Sequence, residues 1–261
     1  MARILLLGST GFVGRGVAHK VLDAGHQLRV LVRDPMKAAA FKVRGAQVVV
    51  GDALDPNTVV QAASGVEHII DLIAVRRNRP QSYLAVNVDG PRIVGEAAKA
   101  AGVRSVVLVS AIGAKLDPHL KYLTSRWMGE QELAKTGVAG TILRFSFILA
   151  EEGGILTDFE RAIVGPFAII PGSGQAKLQP ILREDAARCI AEAIAKPELL
   201  GTSSSSAVPR SSATKASSTG FSTRATSRRP SSGCPCRCSR SRRPRWRRSP
   251  RTLRSRPTRS T

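Results

Sequence analysis

Along the first two hundred residues, short apolar runs alternate with helical repeats. Arg3–Leu7, Leu28–Val32, Gln47–Val50, His68–Ile73, Ser105–Val109 and Thr141–Phe145 are dense in Val, Ile and Leu and read as strands. Between them, Phe12–Ala24, Asn57–Ala63, Ser82–Ala101 and Leu120–Lys135 place apolar residues three and four apart, as Val86, Ile93, Val94 and Ala97 do, and predict helices. A further helix is expected over Arg183–Ala195, before Pro197. Gly25 and Gly102 follow two of these segments, where a helix end wants a left-handed residue. Strands that are apolar almost throughout, instead of alternating, are buried on both faces. The expected fold is therefore α/β, a doubly wound parallel sheet with helices on both faces.

After Leu200 the pattern stops. Ser, Thr, Arg and Pro dominate and apolar residues stand singly, so this stretch lacks the apolar surface needed to offset the entropy of ordering. The boundary is drawn at residue 202. Residues 1–202 form the folded domain, with part of a small substrate lobe, and 203–261 form a disordered basic tail. This boundary also decides how the charge is read. The chain is 261 residues long with a net charge of +21, which taken whole suggests a nucleic-acid partner. Residues 203–261, however, hold fifteen Arg, one Lys and no acidic residue, leaving 24 basic against 19 acidic residues elsewhere. The remainder is an ordinary globular balance, and nucleic acid is an unexpected partner for it. No apolar run approaches the length of a membrane span. The N-terminal run Ile4–Leu7 ends at a glycine after four residues, which suits a buried strand better than an export signal, and a cytoplasmic protein is expected. Cys189, alone in a helical pattern, reads as a small buried hydrophobe. His19, His26, His68 and His119 are dispersed without metal-ligand spacing and read as structural, so no metal is expected.

The chemistry starts at the first strand–helix junction, Gly8-Ser9-Thr10-Gly11-Phe12-Val13-Gly14. The first glycine permits a tight turn, the second lets backbone approach a pyrophosphate, and the third lets helix pack on strand. The phosphates would lie at the helix N-terminus, where free N–H groups and the dipole favour negative charge. The spacing is G-x-x-G-x-x-G, and its place at the head of an alternating chain makes this a Rossmann-type dinucleotide site. Arg33 follows the second strand, where an acidic residue would hold the ribose 2′-hydroxyl of NAD. A guanidinium there suits a 2′-phosphate, so NADP(H) is favoured over NAD(H), although Asp34 comes next and would serve NAD.

The glycine turn resembles the signature of extended and atypical short-chain dehydrogenases/reductases. The resemblance continues through Gly51-Asp52-Ala53-Leu54-Asp55, Asn87-Val88-Asp89-Gly90, Val109-Ser110-Ala111, the stretch from Tyr122 to Glu130, and Gln179-Pro180-Ile181. It covers about residues 2–202, and it is nearest in character to the NmrA-like proteins and the nicotinamide-holding accessory subunit of respiratory complex I. It implies that Asp52 contacts the adenine, although an Asp there would equally cap its own loop. It also implies that Ala53 and the segment Leu72, Ile73 and Ala74 border the cofactor, and that Asn87 is a buried brace for the active-site helix. In the family a Tyr with a Lys four residues on transfers the proton, and a Ser polarises the carbonyl. Here Ser110 closes the fifth strand and Tyr122 is present, but Arg126 stands where the Lys belongs. The i, i+4 spacing keeps Tyr122 and Arg126 on one helical face, and a guanidinium would still favour a phenolate. Its planar fork is not an ammonium, however, and Arg126 with Trp127 would equally make a surface pair. Arg76, Arg77 and Arg79 follow the fourth strand and would either meet an anionic substrate or line a solvated loop.

The implied activity is hydride transfer on a small carbonyl or carbinol substrate, of an oxidoreductase or epimerase type. The alternative is a non-catalytic NADP(H)-binding structural, assembly or redox-sensing protein with a protein partner. The tail has its own explanation. Codons compatible with Ser204–Ala213, read one nucleotide earlier, encode Phe-Glu-Leu-Gly-Gly-Pro-Glu-Val-Leu-Ser, a continuation similar to the family's. Cys234–Ser239 likewise conceals a Pro-Val-Pro-Leu-Leu segment. A frameshift product is therefore expected, with a polyanion-binding tail as its competitor.

Overall fold

The computed structural model describes residues 1–78, 80–151, 153–154, 157, 163–164, 167–168 and 179–194. Arg79 and the basic tail from residue 203 onward lie outside the described residues. Six strands form one parallel sheet: β1 (Arg3–Leu7), β2 (Gln27–Val32), β3 (Gln47–Val50), β4 (His68–Asp71), β5 (Ser105–Ala111) and β6 (Gly140–Phe145). Their order across the sheet is β3-β2-β1-β4-β5-β6, every neighbouring pair parallel. The chain thus winds outward in one direction from β1, then returns and winds outward the other way from β4. The reversal between β1 and β4 leaves a crevice beyond their carboxyl ends, the place where such sheets bind ligands.

Alternation along each strand sends side chains to two separate cores. Ile4 and Leu6 of β1 join Val30, Ile70, Val107 and Leu143 on one face, and Leu5 and Leu7 join Leu31, Ile69, Val106 and Leu108 on the other. The first face is covered by α1 (Gly14–Asp23) and α6 (Arg183–Ile194), through Val17, Val21, Ala186 and Ile190. The second is covered by α3 (Pro56–Ala63), α4 (Gly90–Ala100) and α5 (Lys121–Lys135), through Val59, Ile93, Val94 and Leu133. Leu5, Leu6 and Leu7 are fully buried, each contributing roughly 2 kcal/mol of apolar burial. Cys189 packs against the first core but is only half-buried, short of the full burial expected. No helix among the described residues is long and apolar enough to cross a membrane.

Four local departures from the sequence reading have physical causes. β4 stops at Asp71 and does not run on to Ile73, because the Asp71 carboxylate turns back to accept the Ile73 N–H at 2.9 Å. The helix expected over Ser82–Ala101 is divided into a π-helical turn, Leu84–Asp89, and α4. Pro91 has no N–H to donate to the preceding turn, and a widened turn accommodates the loss. Between β2 and β3 lie a 3₁₀ turn, Pro35–Ala38, and the short α2 (Ala39–Val43), neither of which has enough periodic residues to show in the sequence. Beyond β6, β7 (Ile148–Leu149) pairs in parallel with β10 (Ile181–Leu182), and β8 (Ile163–Val164) pairs antiparallel with β9 (Phe167–Ala168). Arg29 ties the sheet to a helix end: it donates to the carbonyls of Ala62 (2.6 Å) and Ser64 (2.7 Å), a cation at the C-terminus of α3.

Candidate functional site

The turn after β1 sits at the mouth of the crevice. Gly8 adopts φ +82°, a left-handed conformation that side chains resist, and its carbonyl accepts the Gly11 N–H at 3.0 Å. Gly14 opens α1 so close to this turn that a β-carbon on it would fall 2.8 Å from the Gly8 carbonyl carbon and 2.9 Å from Ser9 Cα. No side chain fits there. A β-carbon on Gly8 would in turn meet Leu72 and Ile73 at 3.3–3.4 Å, so the turn abuts the chain leaving β4. Ser9 is fully buried and its hydroxyl has no partner, an orphaned polar group of the kind a bound phosphate satisfies. Thr10 and Val13 are half-buried, and Phe12 packs under the Arg183 guanidinium, 5.4 Å from ring centroid to charge. A tight turn, a helix start with no room for a side chain and an unpaired buried hydroxyl fit a dinucleotide pyrophosphate.

Around this turn, the structure places the remaining candidates as follows. Arg33 is exposed just past β2. The Asp34 carboxylate accepts the Met36 N–H at 3.0 Å, capping the 3₁₀ turn, and lies 3.9 Å from Lys37. Asp52 is exposed and accepts the Leu54 N–H at 3.0 Å, the loop-capping arrangement. Ala53 is buried, Leu72 and Ile73 are half-buried, and Ala74 is exposed.

The candidate catalytic residues lie on β5 and α5, and the structure gives each a different environment. The Ser110 hydroxyl donates to the Glu130 carboxylate at 2.5 Å. Glu130 is fully buried, and Arg144 of β6 clasps both of its oxygens, at 3.0 and 2.5 Å. This partner holds the Arg144 guanidinium above its ordinary pKa. Arg126 is 2% exposed; one of its terminal nitrogens donates to the Val109 carbonyl and the other, Nη1, has no partner. Asp71, at the end of β4, is buried, and that burial pushes its carboxyl up from 3.8 to about 6, against the opposing pull of the Ile73 N–H and the Arg126 charge. Tyr122 is half-buried, with its ring 6.2 Å from that of Tyr83. Asn87 is fully buried on the π-turn: its Nδ2 donates to Ser125 Oγ and to the Val75 carbonyl, both at 3.0 Å, and its Oδ1 accepts the Val75 N–H at 2.9 Å. It thus locks α5 to the segment leaving β4.

Glu130, Arg144, Asp71 and Ser125 did not stand out in the sequence. One signal was available: Tyr122, Arg126 and Glu130 are spaced four apart on one stripe of α5, continuing to Leu133, so charges lay on a core-facing line. The histidines sit in separate contacts. His26 accepts the Ala2 N–H, His68 pairs with Ser105 across β4 and β5, and His19 meets the Phe41 ring edge-on.

Comparison with known proteins agrees with this geometry. A family profile described as NAD(P)H-binding matches residues 8–197. The chain is 29% identical over 196 residues to the NAD(P)H azoreductase of Xenophilus azovorans, covering 74% of this chain and 64% of that protein. It is 28% identical over 166 residues to the photosystem II assembly factor Ycf39 of Cyanophora paradoxa, covering 64% of this chain and 48% of that one. The chain therefore spans about half to two thirds of these relatives. Among solved structures, the NADPH-dependent quinone oxidoreductase QOR2 of Escherichia coli, complexed with NADPH, superposes with a TM-score of 0.64 at 26% identity, over 76% of this chain and 66% of that one. With the match spanning most of the chain, this protein belongs to the NAD(P)H-binding family.

Proposed function

We propose that this chain is an NADP(H)-dependent oxidoreductase acting on a small carbonyl or carbinol substrate. The observation that carries the reading is the glycine turn at the reversal point of the sheet, with Ser9 buried and unpartnered and Gly14 closed to any side chain. The similarity to an azoreductase and to a quinone oxidoreductase supports reduction as the reaction class. Preference for the phosphorylated cofactor rests on two neighbours: Arg33 is exposed at the end of β2, whereas the Asp34 carboxylate is engaged by Met36 and Lys37. Asp52 would face the adenine, with Ala53 and Leu72–Ala74 along the cofactor.

The nicotinamide, when bound, supplies or accepts the hydride. Tyr122 is the proton donor in this reading. Arg126 places a positive charge on the same face of α5, and its buried Nη1 has no protein partner. Ser110, bound to Glu130, holds α5 against the sheet; polarising a substrate oxygen would require it to release that bond. A second reading, a non-catalytic cofactor-binding protein that docks on a protein partner, is favoured by the engagement of both Ser110 and Arg126 with protein groups and by the similarity to an assembly factor. The division into a cofactor domain at 1–202 and a frameshifted tail at 203–261 belongs to the same proposal.

Fluorescence titration tests the cofactor: NADPH is expected to bind at least about tenfold tighter than NADH, and Arg33→Ala to abolish the difference. A panel of quinones and aldehydes then tests turnover. Binding without turnover, and no gain from Arg126→Lys, would move the conclusion to the second reading.

A further inference from the structure

We propose that Asp71 is the counter-ion of the buried Arg126, and that through this pair the choice between oxidised and reduced cofactor is linked to the proton on Asp71. The placement of the nicotinamide beside α5 rests on the oxidoreductase reading; the pairing of Asp71 with Arg126 does not.

A buried guanidinium needs a compensating charge, and the carboxylate nearest along α5 is already committed. Glu130 lies four residues beyond Arg126 on the same stripe, but Arg144 clasps both of its oxygens and Ser110 donates to one of them. That pair is closed on itself. Arg126 gives one terminal nitrogen to the Val109 carbonyl and leaves Nη1 without a partner, so its charge is buried without a bonded carboxylate. Asp71 is the carboxylate that answers it. The last residue of β4, it is in register with Leu7 of β1 and Leu108 of β5, both in the core that α5 covers, and so stands on the face of the sheet under that helix. Each side chain is fixed by backbone, Asp71 by the Ile73 N–H and Arg126 by Val109, and the two act on one another as charges across a weakly screening interior.

The elements around Asp71 bring little else that is charged. β1 and β5 contribute Leu7 and Leu108, and the π-turn contributes neutral Asn87, held by Val75 and Ser125, and Asp89, paired with Arg92. From α5 come Tyr122, Arg126 and the closed Glu130. Burial holds the Asp71 carboxyl up at about 6, so its proton is exchangeable near neutral pH. With the proton on, the pair carries a net positive charge; with it off, the pair is neutral.

The pair also sits where a dinucleotide would feel it. Asp71 opens the segment whose Leu72 and Ile73 abut the Gly8 turn, and Arg126 is one helical turn from Tyr122, where the proposed function puts the reacting ring. An oxidised nicotinamide ring is a cation and a reduced one is neutral. Arg126 repels the cation unless Asp71 is ionised, whereas the neutral ring is indifferent to that proton. Binding of NADP⁺ therefore favours breaking the Asp71 O–H bond, with the proton passing to solvent, and binding of NADPH leaves it in place.

Titration of the full chain with NADP⁺ and NADPH tests the linkage, read as the ratio of the two dissociation constants. The 2′-phosphate and Arg33 are common to both cofactors and cancel in that ratio. NADP⁺ is expected to gain on NADPH by at least about threefold as pH rises from about 5.5 to about 8. Asp71→Asn keeps the oxygen that accepts from Ile73, and its ratio is expected to be independent of pH. Calorimetry on the wild type, in two buffers of different protonation enthalpy at about pH 6, needs no variant: more proton release is expected with NADP⁺ than with NADPH. A flat wild-type ratio, a ratio that moves the other way, a slope that survives Asp71→Asn, or equal proton release would each overturn the linkage and leave the oxidoreductase reading untouched. A pH-linked ratio with no turnover of any quinone or aldehyde keeps the linkage and removes that reading.

Discussion

At Gly14 a methyl group would overlap the Gly8 carbonyl, and both atoms are main chain, so nothing flexible can yield. Gly14→Ala is therefore expected to destabilise the protein by more than about 3 kcal/mol and to abolish NADPH binding, read by thermal melting and fluorescence titration. Gly8→Ala places a side chain at φ +82°, where the strain is smaller, about 1–2 kcal/mol. Asp71 makes a different prediction at the same scale. Its carboxyl titrates at about 6 in the folded protein against 3.8 ordinarily, so the folded state holds a proton that the unfolded chain has already lost. Stability from this group is complete below pH 4 and is lost as pH rises through 6, by up to roughly 3 kcal/mol. Asp71→Asn is expected to flatten that part of the profile, measured as the difference between wild-type and variant urea midpoints from pH 4 to 7. An unchanged difference across that range would show that Asp71 does not titrate there.

At the scale of the element, α5 is held to the sheet by a buried polar line. Ser110, Glu130 and Arg144 join β5, α5 and β6 through hydrogen bonds of 2.5 to 3.0 Å. Glu130→Ala strands the Arg144 guanidinium without its carboxylate, and a loss of about 3–5 kcal/mol is expected. Ser110→Ala removes one bond and should cost about 1–2 kcal/mol. The kinetics separate the two roles of Ser110. A holding residue leaves kcat within about threefold, whereas a residue polarising the substrate lowers it about a hundredfold. Steady-state assays on Ser110→Ala with the melting curve alongside distinguish them. The π-turn before α4 belongs to the same element logic: Pro91 forces it, and Asn87, set on it, joins α5 to the exit of β4. Asn87→Ala is expected to loosen both contacts at once.

At the scale of the molecule, the charge divides at residue 202, and the family match ends at residue 197. Sequencing the gene around the Thr202 codon is expected to find a single-nucleotide insertion or deletion. An intact frame would return the fifteen arginines of the tail to consideration as a polyanion-binding arm. Within 1–202, much was legible from the sequence because it depends on local rules. Continuous apolar runs mark strands buried on both faces, and Ile4–Leu7 splits its side chains between two cores as a period of two requires. The glycine turn was legible too, since its need is steric and its residues are adjacent. Ser110 and Arg126 were placed by spacing and resemblance, but their partners were not. Glu130 lies twenty residues beyond Ser110, Arg144 fourteen beyond Glu130, and Asp71 comes from another strand; a linear pattern does not contain such distances. The sequence alone determined the strands of the sheet, most of the helices over it and the tight glycine turn between β1 and α1, because periodicity and backbone sterics act between near neighbours. Only the tertiary structure decided that Ser110 is bound to a buried carboxylate, that Arg126 is sealed beneath β5 with one nitrogen unpaired, and that burial pushes the Asp71 carboxyl up to about 6. Burial and charge pairing are set by residues that become neighbours only when strands from distant parts of the chain close into one sheet.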